Sequence, residues 1–126
     1  MSEEIKVMEE LLKEAKKYIE EGNVVQASEK IYKVIEEGIK FLSSRDGVPE
    51  YSVAQKEGRW WTHLLGKAAN TLSKKYNEDK IYYVWSVAYD LHVWGYHERK
   101  YDMETVKPKL KDAEWMLEFV KKVSNE

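Results

Sequence analysis

The densest run of hydrophobic positions lies at residues 81–97, IYYVWSVAYDLHVWGYH, where twelve of seventeen residues are apolar or aromatic. At helical pitch the polar positions fall on one line, through Tyr82, Ser86, Asp90 and His97. A helix that is hydrophobic on most sides is typical of a bundle interior or a subunit interface. This run is too short and too polar for a membrane span. The pattern predicts a core helix with one polar line.

Two amphipathic helices are predicted at the start of the chain. Apolar residues at three- and four-residue steps indicate a first helix over residues 3–21, with Gly22 as its C-terminal cap. Asn23 and Gln26 have the spacing of a capping box, which places the start of a second helix at Asn23. A link this short predicts an antiparallel hairpin. The predicted buried positions are Ile5, Met8, Leu12, Ala15, Ile19, Val24, Ala27, Ile31, Val34 or Ile35, and Leu42.

The helical pattern breaks at residues 43–58, SSRDGVPEYSVAQKEG. Pro49 suits the first position of a short helix that ends at residue 57. That helix either runs into a third main helix or bends toward it at Gly58, and the third helix is predicted to include Trp60 and Trp61. Whether residues 43–58 form an ordered lid or a plain connection is left open by the sequence.

The remaining helix boundaries follow from capping residues and from one proline. Asn77 is a candidate cap for the aromatic helix, and Asp102 caps a last helix. Pro108 either sits in a tolerated early turn of that helix, which the apolar stripe favours, or separates a short turn from it. No strand-like alternation occurs in the sequence. The chain is therefore predicted to be all-α, an up-and-down bundle of four to five helices in one domain, residues 1–126.

Charge and composition add four points to this picture. The 21 basic and 23 acidic residues nearly cancel, so no overall field attracts nucleic acid or an anionic membrane. There is no cysteine, which excludes disulfides and thiolate metal sites. Lysine and glutamate dominate, whereas asparagine and glutamine are scarce, a bias typical of proteins that work at high temperature. The acidic first residues are unlike a secretory signal, and a cytoplasmic location is expected.

The histidines near the end of the aromatic helix are the first candidates for chemistry. His92 and His97 would lie about 140° apart around an α-helix, so they would not share one metal ion without a partner chain. No metal site is therefore predicted, and His92 is interpreted as a core or capping residue. Asp90 and His97 would share a face about 10 Å apart, which suits either acid–base work around a substrate or two separately satisfied buried groups.

The three arginines stand out among 18 lysines. Arginine is favoured where a planar cation must stack or bind a phosphate. Arg59 precedes two tryptophans, and Arg99 follows His97 closely. Most of the aromatic residues are interpreted as core, including Trp61, Trp85 and Trp94. The residues predicted to bind a ligand are Arg59, Trp60, His97 and Glu98.

Three segments together resemble the PaREP family of archaeal proteins: VVQASEKIYK, GRWWTHLLGKAANTL and WSVAYDLHVWGYHE, followed by a final amphipathic helix. The resemblance covers nearly the whole chain. It implies a HEPN-like helical bundle that dimerises. Many HEPN proteins are metal-independent ribonucleases or toxin–antitoxin partners, with an arginine four to six residues before a histidine. Here Arg59 and His63 are separated by three residues, and His92 and Asp90 stand upstream of His97 instead of an arginine, so the resemblance does not imply cleavage.

Three functions remain as hypotheses. The favoured one is a non-catalytic nucleotide- or RNA-binding regulatory homodimer without a cofactor, for which the ligand class comes from the resemblance alone. The alternative is a metal-independent ribonuclease of toxin–antitoxin type, in which His97 acts as base and Asp90 and Arg99 orient groups and stabilise charge. The third is a protein-interaction module, because the opening hairpin is similar to a tetratricopeptide pair, although no second copy is visible.

Overall fold

The computed structural model describes residues 2–125 of the chain. Within that range every regular element is helical, which confirms the predicted all-α bundle. The first and last residues of the predicted domain, 1 and 126, lie outside the described range. The elements are α1 (Glu3–Glu20), α2 (Val24–Asp46), α3 (Pro49–Glu57), α4 (Thr62–Tyr76), α5 (Lys80–Asp90), a π-helical segment (Leu91–His97), α6 (Met103–Val106), a 3-10 turn (Lys107–Lys109) and α7 (Leu110–Ser124).

Helix α2 is the centre of the bundle, because α1, α4, α5, the π-helical segment and α7 all pack against it. The largest completely buried side chains come from α2 and its neighbours, among them Met8, Ile31, Ile35, Leu65, Leu91 and Met116. The α1–α2 hairpin therefore turns its apolar face into the core. A tetratricopeptide-type module would need that face as an open groove, so this burial removes the basis for that hypothesis.

The predicted start of α2 and the predicted cap of the last helical region are confirmed by hydrogen bonds. The backbone N–H of Gln26 donates to Oδ1 of Asn23 at 3.1 Å. The backbone N–H of Thr105 donates to Oδ1 of Asp102 at 2.9 Å. Each carboxyl or amide oxygen satisfies a donor that the first turn of a helix leaves free. Pro49 begins α3, also as predicted.

Two predicted boundaries are wrong. Helix α2 continues through residues 43–46 and ends at Gly47, whose left-handed backbone with φ of 62° suits glycine. The third main helix begins at Thr62 and not at Trp60, because Gly58 ends α3 in the left-handed conformation and the backbone of Trp61 is extended. Most of the segment 43–58 is therefore ordered helix, and Trp60 lies in a connection.

Two further sequence predictions need correction near α5 and α7. Asn77 closes the end of α4, with φ of 52°, and does not begin the aromatic helix. Pro108 lies in the 3-10 turn between α6 and α7, so the proline does separate a short helical turn from the last helix. The chain remains helical across this turn, which is why the apolar stripe passes through it.

The aromatic helix is a core helix on one side only. Ile81, Val84 and Trp85 are buried, whereas each of the residues of the predicted polar line is exposed: Tyr82, Ser86, Asp90 and His97. Several other aromatic rings are also exposed: Tyr83, Tyr89, Trp94 and, before α4, Trp61. The prediction that Trp61 and Trp94 belong to the core is therefore wrong. Among residues 2–125, no helix is long and apolar enough to cross a membrane.

Candidate functional site

The π-helical segment Leu91–His97 is the most unusual element of the fold. It continues α5 without a break, but its backbone hydrogen bonds reach one residue further, as in the 2.8 Å bond from Glu98 N–H to the carbonyl of Val93. π-Helical turns are rare and occur frequently at functional sites, because the wider turn re-aims side chains. This segment packs against α2.

A glycine allows the π-helical segment to approach α2 closely. A Cβ placed on Gly95 would lie 2.6 Å from the Cβ of Ser28, which is closer than real side chains come. The Ser28 hydroxyl donates back to the carbonyl of Val24 at 2.8 Å and so lies against its own helix. The contact between Gly95 and Ser28 places the π-helical segment next to Glu29, the following residue of α2.

Glu29, His92 and His97 form a chain of polar contacts from the edge of the core to the surface. Nδ1 of His92 lies 2.9 Å from Oε1 of Glu29, and Nε2 of His92 lies 3.1 Å from Nε2 of His97. Glu29 is buried, with 8% of its surface exposed, whereas His97 is exposed. The prediction that His92 and His97 point 140° apart is wrong, because the π register brings residues five apart onto one face.

Tyr32 holds the inner histidine in place. Its ring stacks on that of His92 with centroids 4.2 Å apart and planes at 24°. Its hydroxyl donates to Oε2 of Glu36 at 3.1 Å. Burial raises the pKa of Tyr32 well above its usual range, and the nearby carboxylates of Glu36 and Glu29 raise it further, so the phenol stays protonated. A neutral ring therefore fixes the imidazole plane.

The chemistry of these contacts determines which ring nitrogens carry a proton. An ionised carboxylate only accepts hydrogen bonds, so Nδ1 of His92 carries a proton and donates to Glu29. The two Nε2 atoms at 3.1 Å then need one shared proton or a cation between their lone pairs. Glu29 thereby orients His92, and His92 in turn orients the exposed ring of His97.

A second feature is an open groove between α4 and α5, with a volume of about 570 Å³. Trp85, Tyr82 and Tyr89 provide its aromatic surface, and Asp90 and Ser86 provide acceptors. The remaining lining residues are Thr62, His63 and Gly66. Trp85 comes close to the Gly66 backbone, since a Cβ there would be 3.1 Å from its Nε1.

The groove continues into a more polar hollow of about 490 Å³. The two share His63, Gly66 and Tyr82, and the hollow adds Lys67 and Asn70. One end of the combined surface is therefore aromatic with a carboxylate, and the other carries an ammonium and an amide. This polarity suits a ligand with a flat polar ring and an anionic group.

The structure does not bring the predicted site residues together. Asp90 lies in the groove beside α4, whereas His97 contacts His92 and Tyr96. The expected common face of Asp90 and His97 assumed an α-helical register, which ends at Asp90. Arg99 is exposed and adopts a left-handed backbone with φ of 55°, unusual for a residue other than glycine.

The predicted ligand-binding residues are also dispersed. The guanidinium of Arg59 stacks over the Trp61 ring at 3.6 Å, immediately before the groove residue Thr62. Trp60 packs partly against the core and faces a different hollow, beside Tyr51 and Arg45. Glu98 is exposed and follows the π-helical segment directly.

Sequence reasoning missed the residues on the opposite helices. Glu29 and Tyr32 are distant in sequence from His92, and as part of an ordinary amphipathic pattern in α2 they gave no signal. His63 and Lys67 lie one turn apart on α4, as a single polar stripe that a helical projection could have found. Within residues 2–125, no three His, Cys, Asp or Glu side chains are grouped so as to hold a metal ion.

Comparison with known proteins places the chain in a family. A crystal structure of a protein from Sulfolobus solfataricus is 31% identical, covers 97% of each chain and superposes with a TM-score of 0.81. A solution structure of the same target is 31% identical, covers 95% of this chain and 90% of the other, and has a TM-score of 0.78. No curated protein matches the chain. Residues 3–117 match the archaeal PaREP1/PaREP8 family, and the chain therefore belongs to that family.

Proposed function

We propose that this protein binds a nucleotide or a short stretch of single-stranded RNA in the groove between α4 and α5, and that it acts by binding and not by catalysis. The observation that carries the proposal is the polarity of the combined groove, with aromatic rings and Asp90 at one end and Lys67 and Asn70 at the other. The ligand class follows the family resemblance and this chemistry together.

Each part of a nucleotide has a counterpart in the groove. A base can stack on the exposed ring of Tyr82 or Tyr89, and such stacking tolerates any base. The Asp90 carboxylate can accept a hydrogen bond from a base N–H. The Lys67 ammonium can bind a phosphate as a point charge. The aromatic part of the groove, at about 570 Å³, lies within the range of small-molecule pockets.

The test is a binding titration followed by intrinsic tryptophan fluorescence, because Trp85 lines the groove. Ribonucleoside monophosphates and six-nucleotide single-stranded RNAs are added separately. Tyr82→Ala is compared with Tyr83→Ala. Both rings are exposed on α5, 46% and 58%, but only Tyr82 lines the groove. Loss of a stacked base is expected to weaken binding by roughly 5- to 100-fold.

A second matched pair tests the phosphate end. Lys67→Gln removes the cation in the hollow, and Lys75→Gln removes an exposed cation at the far end of the same helix. The proposal predicts that only Lys67→Gln weakens binding and makes it less sensitive to salt. Equal effects of the two lysine variants, or of the two tyrosine variants, would refute a specific groove. Absence of binding by the folded wild-type protein would refute the proposal itself.

We also propose that the protein is a homodimer. What supports this is the set of large aromatic surfaces left exposed on one helix, with Tyr83 58% and Trp94 46% exposed. Exposed aromatic patches are typical of interaction sites, and symmetric pairing is the commonest way to cover them. Sedimentation equilibrium at micromolar concentration is expected to give twice the chain mass of 15.0 kDa. A strictly monomeric protein would contradict the proposal.

The alternative, a metal-independent ribonuclease, is favoured by a different observation, the chain from Glu29 through His92 to His97. The exposed imidazole of His97, oriented by His92, can take the proton of a 2′-hydroxyl. The Glu29 carboxylate would then stabilise the positive charge on the histidine pair. Arg99 remains the group proposed to stabilise the charge of the phosphorane. Asp90, the other residue predicted for this function, lies in the groove beside α4. The assay is RNA cleavage in EDTA by wild type and His97→Ala. Cleavage that disappears in the variant would establish this function, and no cleavage by either would exclude it.

A further inference from the structure

We propose that His92 and His97 are a pair of ligands for one divalent transition-metal ion, of the kind that imidazole prefers, such as Zn²⁺. The inference rests on the π register of residues 91–97 and is independent of the nucleotide groove. The sequence prediction of no metal site assumed that the two rings point apart, and the structure places their Nε2 atoms 3.1 Å from each other.

The separation of the two nitrogens fits joint coordination. Zinc binds histidine nitrogen at about 2.0–2.1 Å, and ligands at 90–109° around the ion are then about 2.8–3.4 Å apart. The observed 3.1 Å lies inside that interval. The rings meet at 84°, edge to face, so they do not block one another from a common ion.

The contact between Glu29 and His92 is of a kind that is common at metal sites. A ligating histidine commonly donates its other ring N–H to a carboxylate, which fixes the tautomer and leaves the second nitrogen free for the metal. Glu29 does this at 2.9 Å, from a position that is 8% exposed. The stacked ring of Tyr32 fixes the plane of the same imidazole. Glu29 is thus a positioning residue and not a ligand.

Two histidines fill only part of a coordination sphere. This agrees with the finding that no three ligating side chains are grouped within residues 2–125. The remaining positions go to water, for which the exposed side of His97 leaves room, or to the same pair in a second copy of the chain. A pair of histidines from each of two subunits would complete a tetrahedral site on the symmetry axis.

The experiment uses the full chain, freed of metal with EDTA and then dialysed. Calorimetric titration with Zn²⁺ measures affinity and stoichiometry, and Co²⁺ gives a visible spectrum that reports coordination. One ion per chain is expected if water completes the sphere, and one per two chains if a second copy does. Both His97→Gln and His92→Gln should lose binding at least 10-fold, whereas His63→Gln, an exposed histidine elsewhere, should bind as wild type.

Two further readouts separate a metal site from a shared proton. Glu29→Gln should weaken binding by roughly 10- to 100-fold without changing stoichiometry, as expected of an outer partner of a ligand. Excess Zn²⁺ should raise the melting temperature of wild type and not of His97→Gln, whose fold is checked by circular dichroism. Unchanged binding in folded His97→Gln, or no binding by wild type, would overturn the proposal and leave only a proton between the rings.

The metal proposal and the ribonuclease hypothesis give opposite results. A bound ion would occupy the Nε2 lone pairs of both histidines, so His97 would not serve as a free base. If EDTA-treated protein cleaves RNA and Zn²⁺ fails to bind, the pair is an acid–base device. If Zn²⁺ binds and no cleavage occurs in EDTA, the pair is a metal ligand set. The groove titration with nucleotides is unaffected by either result.

Discussion

Gly95 offers the most direct test of how the fold builds the histidine pair. A side chain at this position would meet Ser28 of α2, whose Cβ lies 2.6 Å from the position of a new Cβ. Real Cβ atoms do not approach that closely, so Gly95→Ala must push the π-helical segment away from α2. The next residue of α2 is Glu29, and the contact of Glu29 with His92 should loosen in the same variant.

The expected cost follows from two opposing effects. Forcing an extra methyl into a packed contact costs about 1–3 kcal/mol. Alanine in place of a helical glycine returns at most about 1 kcal/mol. We therefore expect Gly95→Ala to lower the free energy of unfolding by about 1–2 kcal/mol, which corresponds to a melting temperature roughly 3–10 °C lower. This is a large share of the stability of a domain this size.

The assay is urea unfolding of a double-mutant cycle. Ser28→Gly removes the colliding side chain and by itself costs about 1 kcal/mol, because it places a glycine in a helix. Combined with Gly95→Ala, it should restore most of the stability that the clash removes. Ser28→Ala is the matched control, because it removes the Oγ, which lies nearer still to the new Cβ, but keeps the Cβ at 2.6 Å, so it should rescue only part of the loss. Additive effects in the Ser28→Gly cycle, or equal rescue by Ser28→Ala, would show that this contact does not set the position of the segment.

Three further predictions concern stability. Burial and a hydrogen bond to Asp46 raise the pKa of Tyr76 to about 12, so wild type should lose stability between pH 10 and 12. Tyr76→Phe should lack that loss in unfolding measured at pH 9 and pH 11. Burial raises the pKa of the Asp112 carboxyl, so its ionised form destabilises the fold. Asp112→Asn should therefore raise the unfolding midpoint at pH 7, and the gain should vanish below about pH 4. The lysine- and glutamate-rich composition predicts thermal unfolding above about 65 °C, and a lower midpoint would refute heat adaptation.

The helices were predictable where local signals decide them. Asn23 and Asp102 begin helices because their side chains bond to backbone donors three residues on, which depends only on nearby sequence. The end of α2 and the start of α4 were harder. They depend on where Gly47 and Gly58 take up the left-handed conformation, and a glycine in a sequence permits that conformation without requiring it.

Burial of the aromatic residues was predicted less well than their helical state. Trp85 and Trp94 sit in the same run, yet Trp85 is 5% exposed and Trp94 is 46% exposed. Periodicity reports that residues share a face, but it does not report whether a neighbouring helix or a second subunit covers that face. Part of the groove between α4 and α5 escaped prediction for the same reason, since His63 and Lys67 meet the polar residues of α5 only after α4 packs against it.

The histidine pair could not be predicted, because its cause is tertiary. A carboxylate at the buried position of Glu29 is costly unless it is hydrogen-bonded, and His92 supplies that bond from another part of the chain. Gly95 lets the segment come close enough for the bond to form. In an α-helix, residues five apart diverge by 140°, whereas the π turn that accommodates these contacts aligns them. The contact between His92 and His97 therefore results from the packing of the π-helical segment against α2. Any variant that restores the α-helical register should separate the two rings, even if both histidines are kept.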